Sequence, residues 1–182
     1  MTTGTSRRIA GLAVILAAAT SAVGGCSPMS PSEPNTPQAG GPTAPPPSDA
    51  ESRAQVVDAA KDVVRTANLR VTYASFQWEW CNDQGDPPFH GRVDVAFETP
   101  PGQSVSRQIA DTLAGQPGWA PGPPPGFQPA GDAVHKGGVM VLVGPGNYPD
   151  RGTVEIYGEC RNFNDHRDDN QLADITDEVR GG

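Results

Sequence analysis

Residues 89–98, Phe89-His90-Gly91-Arg92-Val93-Asp94-Val95-Ala96-Phe97-Glu98, form the clearest strand pattern in the chain, and the rest is read outward from them. Phe89, Gly91, Val93, Val95 and Phe97 share one parity, and His90, Arg92, Asp94, Ala96 and Glu98 the other. The period of two gives an apolar face and a charged face, the mark of an antiparallel strand covered on one side. Upstream, Leu69, Val71 and Tyr73 alternate in one parity while Phe76, Trp78 and Trp80 take the other, which predicts a bulge near Ala74 and Ser75. Before that strand, Ser48-Asp49-Ala50-Glu51 reads as a capping box. Val56, Ala60, Val63 and Ala67, widened by Val57 and Val64, then mark the buried face of a helix running to about Ala67.

Downstream, Pro100-Pro101-Gly102 ends the strand, and Val105, Ile109 and Leu113 mark a short second helix with Ser104 as a candidate cap. The Pro- and Gly-dense stretch from Pro117 to Pro129 is a stiff loop with Trp119 and Phe127 as anchors. Strands follow at 132–136, 139–143 and 153–160, separated by turns at Gly137-Gly138 and Pro145–Gly152. The order α, β, β, α, β, β, β with hairpin-length connections predicts an α+β two-layer sandwich. Its antiparallel sheet would have about five strands, with both helices on one face. Val139–Val143, apolar throughout, is expected to be the central strand. The acidic tail from Asp165 to Arg180 is expected to form a short helix around Leu172, Ile175 and Val179.

The first residues read as an address. Arg7 and Arg8 precede an uncharged apolar run from Ile9 to Ala19, the order of a secretory signal peptide and too short to span a bilayer. Val23-Gly24-Gly25-Cys26 resembles the bacterial lipobox, which implies cleavage before Cys26 and a diacylglycerol thioether on its sulfur. The acyl chains would anchor the protein stably to a membrane. Cleavage after Ala17-Ala18-Ala19 is the alternative, and it would leave Cys26 an unpaired thiol in an oxidising space. Ser27–Ser48 is Pro, Ser, Thr, Gly and Ala with almost nothing apolar, so it cannot fold. The expected organisation is a signal at 1–25, a lipidated Cys26 and tether at 26–50, and one α+β domain at 51–182. The chain is thus placed at the outer face of the cytoplasmic membrane, with the membrane as its first partner.

The formal charge of -8 and pI near 4.7 argue against nucleic acid as a partner, because phosphate binding needs clustered Lys and Arg. Losing the leader removes Arg7 and Arg8 and no acid, so the mature charge is about -10 and the head is repelled by anionic lipid. With Cys26 lipidated, Cys81 and Cys160 are left to pair in an oxidising compartment, and they lack the short C-x-x-C spacing of redox-active pairs. The bridge would bring together two polar segments, Asn82–Asp86 and Arg161–His166. Asp83, Asp86, His90, Asp165 and His166 are therefore the candidate binding-loop residues, read first as solvated turn acids and second as a Ca²⁺ or transition-metal site. No cofactor is expected. Ser75, Ser104 and Ser106 sit in no G-x-S-x-G setting and the Gly-rich stretches carry no K-[ST], so catalysis is not expected. The rival is an envelope hydrolase using His90, His135 or His166; a lipid or metabolite carrier would need a roomier core. Trp78, Trp80, Trp119, Phe127 and Tyr157 are the large aromatics, and those facing away from the helices would form a groove for an apolar or sugar ligand, while the head as a whole is expected to bind an envelope protein or small ligand.

In combination, Cys81-Asn82-Asp83-Gln84-Gly85-Asp86-Pro87-Pro88, Gly122-Pro123-Pro124-Pro125-Gly126 and Gly158-Glu159-Cys160-Arg161-Asn162 look like the small mycobacterial cell-envelope lipoproteins of the LppJ and LppV type. The resemblance covers about residues 51–182 and the signal. It implies an envelope lipoprotein and supplies no catalytic residue.

Overall fold

The computed structural model describes residues 44–169 and 171–181. The expected leader, the expected lipidation site Cys26 and the part of the expected tether up to residue 43 lie outside them. Within the described region, helix α1 (Asp49–Thr66) leads into strands β1 (Val71–Trp80) and β2 (Phe89–Glu98), then α2 (Ser106–Ala114). Strands β3 (Ala120–Pro121), β4 (Asp132–Lys136), β5 (Val139–Pro145) and β6 (Arg151–Tyr157) follow, and the chain ends with β7 (Ala173–Asp174) and α3 (Thr176–Arg180). One antiparallel sheet runs β3-β4-β5-β6-β2-β1-β7. This is the α+β sandwich with a two-residue strand added at each edge, β3 and β7, and with the expected tail helix formed as α3. No described helix is long and apolar enough to cross a membrane.

Ser48 caps α1, its hydroxyl accepting from the Glu51 amide while the Glu51 carboxylate accepts from the Ser48 amide. Val56, Val57, Ala60 and Val63 are buried against Phe76, Val93, Val95, Phe97, Val154, Ile156, Val141 and Val143 from the strands. Ile109 and Leu113 of α2 and Ile175 and Val179 at α3 complete this core, so all three helices cover one face. The apolar parity of residues 89–98 is that inner face.

Several expectations change. The sheet centre is β6, because it pairs with β5 through a hairpin and with β2 on its other side. The bulge falls at Thr72 rather than at Ala74 and Ser75: the β1–β2 register shifts between Val71 and Tyr73, and the Thr72 hydroxyl donates to the Ala96 carbonyl across the strands. Val71, Ala74 and Phe76 therefore all reach the core, whereas Tyr73 turns outward. Ser104 does not cap α2; its hydroxyl meets that of Ser106, and Val105 holds the cap position. In the Pro-rich loop Trp119 is buried, its indole N–H reaching Asp62, but Phe127 is 55% exposed and anchors nothing. Leu172 is likewise exposed, so the apolar packing of α3 comes from Ile175 and Val179.

Candidate functional site

Cys81 directly follows β1 and Cys160 lies three residues beyond β6, and the two are joined by a disulfide with Cα atoms 5.8 Å apart. Backbone pairing continues up to the bridge. The Cys81 amide donates to Pro88, Gly158 to Gly91, and Phe89 exchanges two hydrogen bonds with Asn162. These bonds place His90, of the outward parity, against the sulfurs. Its Nδ1 is 3.3 Å from Cys160 Sγ and 3.6 Å from Cys81 Sγ, and its Nε2 is 3.3 Å from Glu79 Oε2.

A polar row extends from there across the open face, built from cross-strand neighbours. Glu79 sits opposite His90, Arg92 opposite Tyr157, and Asp94 opposite Glu155. Arg92 donates to Glu79 at 3.3 Å and, through Nε and Nη2, to Asp94 at 3.0 and 2.9 Å. Its guanidinium lies 3.6 Å from Glu155 and stands over the Tyr157 ring, whose hydroxyl donates to Glu155. One cation thus serves three carboxylates. The hydrogen bond from His90, opposed by burial and aided by Arg92, holds Glu79 below the usual carboxylate range. Burial pushes Asp94 up against the pull of Arg92, and burial together with the bond to Glu155 raises the Tyr157 phenol, which stays a donor.

The anticipated binding-loop residues do not meet at one point. His166 lies on the helix side, stacked on Trp78 with ring centroids 3.9 Å apart and edge-on to Phe89, opposite the face that carries His90. Asp86 and Asp165 do come together, but around Arg167, which occupies the space a cation would need. Asp83 is exposed. His135 bonds the Gly122 carbonyl at the far end of the sheet. The aromatic groove is corrected too: Trp78 faces the helices, Trp80 shares its parity and is exposed at the strand end, and Trp119 joins the core, which leaves Tyr157 of the five on the open face within a charged row. Sequence reading missed that row because its members come from three strands. The signal was the charged parity of 89–98, legible only once the register was known.

Below the bridge, Asp49 at the start of α1 accepts from Asn162 at 2.7 Å, from Asn164 at 2.8 Å and from His166 at 3.0 Å. These bonds, led by the one from Asn162, hold its pKa below the ordinary 3.8. A carboxylate depressed in the folded state contributes stability that is complete above its unfolded value and is lost as the pH falls through the folded one. The Asp49→Asn variant should therefore unfold with a shallower acid slope below about pH 4 than the parent. Parallel slopes in denaturant titrations across that range would refute the assignment.

A family model described as "Putative lipoprotein LppJ" matches residues 48–178. The chain belongs to the LppJ family. Curated LppJ proteins of the same description from Mycobacterium tuberculosis (strains CDC 1551 / Oshkosh and ATCC 25618 / H37Rv) and Mycobacterium bovis are 37% identical over 131 residues, 72% of this chain and 70% of theirs. No solved structure matches. The LppJ match begins at the Ser48 cap and ends within α3, so it spans the folded head, including the disulfide and the polar row.

Proposed function

We propose that this LppJ-family lipoprotein is exported, held at the outer face of the cytoplasmic membrane by lipid on Cys26, and acts without catalysis by binding an envelope protein on the open face of its sheet. The observation that carries this reading is the one-sided architecture. All three helices cover the apolar face, while the other face presents Glu79, Arg92, Asp94, Glu155 and Tyr157 as a connected, acid-rich row on rigid strands. A flat row of this kind suits a protein surface better than an enclosed small molecule. The excess of carboxylates and the overall negative charge favour a partner with exposed Lys or Arg.

Two experiments test it. A Cys26→Ser chain expressed in a mycobacterial host should lose acyl incorporation and leave the detergent phase; retention there overturns the anchor. A photo-crosslinking residue at Gln77 or Thr153, on the open face, should give discrete adducts in host membranes that vanish when Glu79 and Glu155 are changed to Lys. The same probe at Asp58 on α1 should give none. Equal adducts from all three positions, or adducts indifferent to the charge reversal, would refute a docking face on the sheet.

A further inference from the structure

The surroundings of the disulfide exceed what a structural bridge requires. Two sulfurs and an imidazole nitrogen lie within 4.8 Å of one another, and the imidazole is oriented from behind by a carboxylate. A carboxylate can only accept, so Glu79 faces His90 Nε2 as an acceptor and, in the neutral ring, favours the tautomer that leaves Nδ1 turned toward both sulfurs. A carboxylate behind an imidazole is the outer-shell arrangement that fixes tautomer and direction in histidine-ligated metal sites. A tetrahedral zinc with Zn–S near 2.3 Å and Zn–N near 2.0–2.1 Å separates nitrogen from sulfur by about 3.5 Å. The two nitrogen–sulfur distances here are 3.3 and 3.6 Å. Neither cysteine is buried, so a reductant can reach the bridge and a fourth position can stay open to water.

We propose that the dithiol form of Cys81 and Cys160, with His90 Nδ1, binds one zinc-class divalent cation, and that Glu79 positions the imidazole for it. An external dithiol reductant supplies the two electrons and two protons. Its own thiols join as a disulfide while the Cys81–Cys160 bond opens to two thiols. Zinc then forms two Zn–S bonds and one Zn–N bond, and the two thiol protons leave to solvent. Cation and disulfide exclude one another, so the head has an oxidised, metal-free state and a reduced, metal-bound one. Thiolate and imidazole together select zinc over calcium or magnesium. Asp83, Asp86, Asp165 and His166 take no part. This site adjoins the docking row and shares Glu79 with it, but it rests on the bridge and His90 and does not depend on the docking reading.

The test uses the full chain in detergent with Cys26→Ser, which removes the third cysteine. After reduction under anaerobic conditions with a phosphine, cobalt(II) serves as the probe and zinc as its competitor. The expected result is one cobalt per chain with thiolate charge-transfer absorption and the intense visible bands of a four-coordinate ion, abolished by zinc and absent from the oxidised chain. His90→Ala should weaken binding at least tenfold and Glu79→Gln by about 10–100-fold, whereas His135→Ala should change nothing. Zinc should also raise the urea midpoint of the reduced chain, read by Trp fluorescence, without moving that of the oxidised one. Absent charge-transfer bands, affinity unchanged in His90→Ala, or a reduced chain that stays unfolded with zinc present would each overturn the proposal.

Discussion

Replacing both Cys81 and Cys160 with Ala should lower the unfolding free energy by about 4.5 kcal/mol, measured as a drop in the denaturant midpoint with a slope no smaller than the parent's, because the released unfolded chain exposes more surface. The value follows from loop closure. The cysteines are 79 residues apart, and an unfolded chain released from that constraint gains the corresponding entropy. For a head of about this size such a loss is a large share of total stability. The native side should change little at first, because the same corner is held by the Phe89–Asn162 backbone pair and by Asp49. The effect is therefore expected in the midpoint and in faster unfolding rather than in an altered fold. A loss below about 1 kcal/mol would show that the loop is already restrained in the unfolded chain, and would contradict the entropic account.

The second large effect concerns Phe97 and Gly152, direct partners between β2 and β6. Phe97 is almost completely buried, and a Cβ added to Gly152 would land on its ring. The ring fills the space that the glycine leaves. Phe97→Ala should cost about 3–5 kcal/mol through lost transfer energy and the cavity left behind. Gly152→Ala should cost about 1–3 kcal/mol for the opposite reason, overpacking of β6 at the sheet centre. In the double variant Phe97→Ala/Gly152→Ala the new methyl occupies part of the vacated volume, so the combined loss should be smaller than the sum of the two singles. Thermal or chemical denaturation of the four proteins gives the coupling, and strict additivity would rule out the steric complementarity argued here.

Both effects show where the sequence was legible. The α1 cap, the apolar face of α1, the β2 parity, the Gly137-Gly138 hairpin and the Cys81–Cys160 pairing are local patterns or simple pairing arguments, and each is found in the fold. What escaped was relational. The position of the bulge depended on whether Ala74, a small residue, counted as core, and it is fully buried between α3 and β2. The place of β6 at the centre depended on a pairing between elements more than fifty residues apart. His166 and His90 share a neighbourhood around the bridge but not a face, because Phe89 and His90 are successive residues of a strand and project to opposite sides. The polar row was invisible for the same reason: each member is unremarkable within its own strand.

The last residues before α1 also bear on how the head carries load. Arg161, next to Cys160, donates to the carbonyls of Ala44 and Pro45 at 2.8 and 3.0 Å. A pull arriving from the N-terminal side meets these bonds first, then the Asp49 clamp, and both lead into the segment that follows Cys160. That segment is welded through the bridge to the end of β1. The start of α1 is thereby tied to the segment that the bridge fastens to β1, so its first turn is held at two points instead of by its own capping alone.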